Sequence, residues 1–98
     1  MKVEIKESSL LTKKMVAIFY DEDGKKVKTT HFGFSGMSDM TQHHDIFRKN
    51  RYIDRHKNRE NWNDYMSAGA LSRWVLWNKP SLRASIADYK SKFNLKTY

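Results

Sequence analysis

The sequence predicts an α+β domain: a small antiparallel sheet, a β-hairpin or three strands, at the N-terminus, followed by about three helices packed on it. Three observations carry this prediction. The first third holds an alternating stretch and then β-branched and aromatic runs on either side of an Asp-Gly step. After about His44 the apolar residues recur at helical spacing. Pro80 then divides the remaining helical sequence in two.

Taken in order, "KVEIKES" puts Val3 and Ile5 on one face of a strand. "KMVAIFYD" is a β-branched and aromatic run that stops at Asp21-Glu22-Asp23-Gly24, and "KKVKTTHFGF" returns with Val27, Thr29, Thr30, Phe32 and Phe34. Glycine accepts the positive φ such hairpin turns need. Three antiparallel strands are expected, with "MVAIF" the most buried. "GFSGMSDMTQ", with its two glycines and capping residues, reads as a connector.

The first helix is expected from about His44 to Arg59, with a thin stripe of Ile46, Phe47, Asn50 and Ile53. A second should cover Ala68–Trp77, with Leu71, Trp74 and Val75 on one face. Pro80 ends it and pushes Lys79 toward extended geometry. Ser81 is a good N-cap for a third helix, on which Leu82, Ile86, Tyr89 and Phe93 share a face, and Asn94 is the expected stop.

With 98 residues the chain fits one domain, residues 1–98, and the largest apolar groups must carry much of its stability. Those groups are three Trp, five Tyr and five Phe. A hydrophobic share of 39% against 31% charged suits a folded domain. Without cysteine there is neither a disulfide framework nor a thiolate metal site. "MKVEIKESSLLTKK" holds no sustained apolar run, and apolar patches such as "WVL" at 74–76 are far too short to cross a bilayer, so no membrane partner is expected.

A net charge of +8 favours acidic partners. Most of the charge is diluted: residues 1–36 hold seven Lys against five acids, and 63–98 six Lys or Arg against two. Only 48–59, inside "RKNRYIDRHKNRENW", is dense, with six Lys or Arg and one acid. On a helix Arg48, Arg51, Arg55 and Arg59 form one longitudinal ridge, flanked by Lys49 and Lys57. The guanidinium fork donates two hydrogen bonds at once to a phosphate. The competing reading is a solvated face laced with ion pairs, Asp45 with Arg48 and Lys49, Asp54 with Arg51 and Arg55.

Tryptophans can stack on bases, yet Trp74 falls beside Leu71 and Val75 and is expected in the core. Trp62 is expected to close that core. Trp77, a turn beyond Trp74, is the candidate for a partly exposed partner contact.

Four histidines raise a metal question, because His43, His44 and Asp45 are adjacent and His31 precedes them on a strand. A hairpin followed by a helix has the outline of a metal-dependent nuclease core. Adjacent His43 and His44 point to different helix faces, and no zinc ligand spacing occurs, so capping or surface histidines are expected and no metal or other cofactor. Gly-rich phosphate loops, GxSxG and HExxH are all missing, and Ser8-Ser9 and Ser35-Gly36 have no base at hand. No catalytic residues are assigned.

The runs "HFGFSGMSDMTQHHDIFRKNRYIDRHKNRENW" and "AGALSRWVLWNKPSLRASIADYKSKFN" resemble a family of small basic proteins encoded by large DNA viruses of algae and protists. The resemblance extends from His31 to Asn94, with "RYIDRH" and "LWNKP" its most specific pieces. It implies an origin and no activity. Members carry a proline after the acid near Asp64, where this chain has Tyr65, which leaves the start of the second helix open.

The expected protein is therefore a non-enzymatic, nucleic-acid-associated protein of a large DNA virus. It contacts phosphates, duplex DNA favoured, through Arg48, Lys49, Arg51, Arg55, Lys57 and Arg59. The alternative is a minor virion or assembly protein docking on an acidic protein surface, and a metal-dependent nuclease comes third. The expected location is the host cytoplasm or nucleus, or the virion.

Overall fold

The computed structural model describes residues 1–98. Strands β1 (Lys2–Glu7), β2 (Lys13–Tyr20) and β3 (Lys26–Phe34) precede helices α1 (Met40–His43), α2 (Ile46–His56) and α3 (Ala68–Leu71). α3 runs straight into a π-helical turn, Ser72–Leu76, and α4 (Leu82–Lys92) and a short β4 (Lys96–Thr97) close the chain. The α+β prediction holds: three antiparallel strands carry the helices.

The turn between β2 and β3 forms as its residues dictate. Asp21 Oδ1 accepts from the backbone of Asp23 and Lys25, and Gly24 takes φ +81°. In register, Val3 faces Phe19, and Met15 faces Phe32. These residues, with Ala17 and Ile5, make the sheet face on which the helices sit. All of Met15–Phe19 is buried, as expected of the central strand.

A fourth strand extends the sheet to the order β3-β2-β1-β4, with β4 parallel to β1. Sequence reading gave no strand there, since two exposed residues carry no alternation. The pairing is supplied by backbone, Lys96 N–H to Met1 C=O and Tyr98 N–H to Val3 C=O, and by Tyr98 stacked on Tyr20 at 3.5 Å.

The expected connector contains α1, a single turn fixed by a capping box: Asp39 accepts from Thr41, and Gln42 Oε1 accepts from the Asp39 N–H. α2 starts two residues later than expected because Asp45 is its N-cap, and it ends at His56. Its buried side is also not the expected stripe. Tyr52 is buried with Ile53 beside it, whereas Ile46 and Phe47 are 49% and 72% exposed.

The tryptophans are exchanged relative to expectation. Trp77 is only 9% exposed and belongs to the core, while Trp74 is half-buried at its margin. The π turn is the cause. The Trp77 N–H reaches the Ser72 carbonyl, a wider turn than an α-helix allows, and this rotates Trp77 inward. Trp62 does not close the core. Its indole N–H donates to Glu60, and its carbonyl accepts from the Trp74 indole at 3.0 Å.

α4 follows the sequence closely. Ser81 caps it, Tyr89 is fully buried, and Leu82, Ile86 and Phe93 pack on the core. Asn94 ends it at φ +53°. The Tyr89 hydroxyl donates to the Tyr65 carbonyl at 2.6 Å, tying α4 to the loop before α3.

Candidate nucleic-acid interface

α2 displays the basic segment, and capping decides which of its charges stay free. Asp45 spends its carboxylate on the N–H groups of Phe47 and Arg48, so it does not pair with the Arg48 or Lys49 side chains. Asp54 lies 3.4 Å from Lys57. The ion pairs weighed from sequence, Asp45 with Arg48 and Lys49 and Asp54 with Arg51 and Arg55, are not formed. Arg48, Arg51 and Arg55 have no carboxylate partner.

The four arginines do not all lie along one helical ridge. Arg51 and Arg55 are exposed and Arg48 is half-buried on the same side of the helix. Arg59 lies beyond the end of α2 and turns back, its Nε and a terminal nitrogen donating to the Arg55 carbonyl at 3.2 and 2.9 Å. It caps the helix C-terminus. Lys49 is half-buried, and burial, then the charges of Arg73 and Lys79, hold its ammonium below the usual lysine range.

Beside Arg55 the surface opens into a cleft of about 290 Å³ between the end of β3, α2 and the π turn. Tyr52 and Trp77 lie in its wall with ring centroids 4.5 Å apart and planes within 4°. The His56 ring stacks against Tyr52 at 4.4 Å. Burial, reinforced by the Glu60 charge, raises the Tyr52 phenol far above its ordinary range, so it stays protonated.

Glu60 bonds His56 Nδ1 at 3.2 Å and accepts from the Trp62 indole at 2.8 Å. Gly69 makes room for it, since a Cβ there would meet the Glu60 carboxyl carbon at 3.0 Å. Phe34, 64% exposed, forms another wall with the Lys13 ammonium 4.4 Å from its ring centre. Lys14 and Asp39, also in the lining, form a largely buried ion pair.

Of the four histidines, His31 bonds Ser8, His56 bonds Glu60, and His44 occupies the left-handed C-cap of α1. His43 Nδ1 accepts from the Asp45 N–H at 2.9 Å, which places its proton on Nε2, sealed from solvent without an acceptor. His31, His43 and His44 do not converge, and no group of three His, Asp or Glu side chains is placed to hold a metal ion. No helix is long and apolar enough to cross a membrane.

Sequence reading missed the cleft. The signal it contained was Tyr52, His56 and Glu60, each four residues from the next, a spacing that aligns them along one side of a helix and its exit.

Residues 3–56 match the model of a family of unknown function, DUF5754, and the chain belongs to that family. The match covers nearly all of the three-stranded antiparallel sheet, α1 and α2, ending at His56 with the last residue of "RYIDRH". No curated protein and no solved structure matches the chain.

Proposed function

We propose that this is a non-enzymatic, nucleic-acid-associated protein that holds phosphates through the arginines of α2, with duplex DNA its favoured partner. The observation that supports this reading best is the unpaired state of Arg48, Arg51 and Arg55 on one side of α2. The nearby carboxylates are committed to capping and to Lys57. Three guanidinium groups along a helix, on a protein of net charge +8, match a row of phosphates better than a face neutralised by its own acids. Lys49, Lys57 and Arg59 are secondary members: Lys57 and Arg59 are engaged within the protein, and the Lys49 ammonium is disfavoured by burial and by Arg73 and Lys79.

The resemblance to small basic proteins of large DNA viruses supplies the proposed setting, a viral genome in the host cytoplasm or nucleus, or inside the virion. A second reading, a virion or assembly protein docking on an acidic protein surface, draws on Ile46 and Phe47. These apolar residues are exposed at the start of the same helix.

Duplex binding measured across a salt series tests the choice. Three phosphate contacts give a log–log slope of about −3, whereas docking on a protein surface leaves blunt DNA unbound even at low salt.

A further inference from the structure

We propose that the cleft beside Arg55 seats a single unpaired nucleobase, so that the protein prefers a junction between duplex and single strand. This rests on the phosphate-binding reading of α2 and names what lies next to those phosphates.

Arg55 belongs to both features: it stands on the unpaired arginine side of α2 and lines the cleft. A strand whose phosphate is held by Arg55 therefore presents its adjoining base at the cleft mouth. The walls suit a flat ring. Phe34 offers an exposed aromatic face on which a base can stack, and the buried Tyr52–Trp77 pair makes a rigid part of the wall behind it. Ser38 and Ser72 add hydroxyl-bearing residues to the lining, which suit the polar edge of a base. Lys13, held over Phe34, adds a second positive charge to the cleft lining beside that of Arg55, where it can meet a neighbouring phosphate. A paired base cannot enter, because its ring is stacked within the duplex.

The experiment compares a blunt DNA duplex with the same duplex carrying a short thymidine overhang, using wild type and Phe34→Ala. Phe34 is largely exposed, so its removal leaves the fold intact. Wild type should bind the overhang substrate about tenfold more tightly than the blunt one, the increment expected of one stacked base. Phe34→Ala should lose that increment and keep wild-type affinity for the blunt duplex. Blunt-duplex binding with no gain from the overhang overturns the base seat and leaves the arginine reading standing, as does a gain that survives in Phe34→Ala. If wild type binds neither DNA at low salt, both readings fall.

Discussion

The indole of Trp77 lies flat against the phenol ring of Tyr52, with centroids 4.5 Å apart and planes 4° from parallel. This contact joins α2 to the residue that ends the π turn, and both rings are buried. Truncating Trp77 should therefore unseat α2 as well as leave a cavity. Trp77→Ala should cost about 3–5 kcal/mol in urea unfolding. Trp74→Ala removes a half-buried ring held by the Trp62 carbonyl and flanked by Arg73 and Lys92, and should cost only about 1–2 kcal/mol. Equal losses in the two variants would show that the π turn does not set which tryptophan is core.

Gly33 is constrained in two ways. Its φ is +79°, and a Cβ there would come within 2.6 Å of Leu76 Cδ1 on the π turn. Gly33→Ala should lower stability by about 2–5 kcal/mol, the sum of left-handed backbone strain and overpacking. Gly36→Ala, where a Cβ meets nothing within 4 Å, is the control and should sit within about 0.5 kcal/mol of wild type.

The basic segment divides into working and engaged charges. Removing Arg51 and Arg55 together should shrink the duplex salt slope by about two units. Removing Lys57 and Arg59 should change it by less than about one, because those side chains already serve Asp54 and the helix end. Circular dichroism should show both double variants folded. Equal slope changes would mean that the pairing within α2 does not choose the phosphate contacts.

His43 gives the protein a pH dependence of defined sign. Burial, then the Arg48 charge, hold its imidazole below the ordinary histidine range. Between the unfolded pKa, about 6.5, and the depressed folded value, the unfolded chain binds the additional proton. Stability should therefore fall as pH drops through about 6.5, and flatten once pH passes below the folded pKa. Urea midpoints at about pH 7.5 and about pH 5.5 should separate in wild type and converge in His43→Gln. An unchanged separation in the variant would assign the effect to another group.

Local chemistry was legible wherever it acts on neighbouring residues. Gly24 and Asp21 specified the hairpin, a continuous β-branched and aromatic run specified the buried β2, and Ser81, Pro80 and Asn94 bounded α4. Each of these signals needs only a few consecutive residues to satisfy backbone groups or present one apolar face. The dense charge of 48–59 was equally plain from the chain alone.

Tertiary structure decided what depended on competition between distant partners. Period-3.6 reasoning put Trp74 inside, but the π turn changes the phase, and distant partners hold that turn, among them Gly33 against Leu76 and Tyr52 against Trp77. Charge pairing in α2 also could not be read from spacing, because Asp45 had a backbone cap and a side-chain pair within equal reach, and the cap formed. β4 exists through the backbone of β1, which no local pattern near Lys96 encodes. The cleft has the same origin. Its walls come from β3, α2 and the π turn, so its shape is a property of their packing and of no single stretch of sequence.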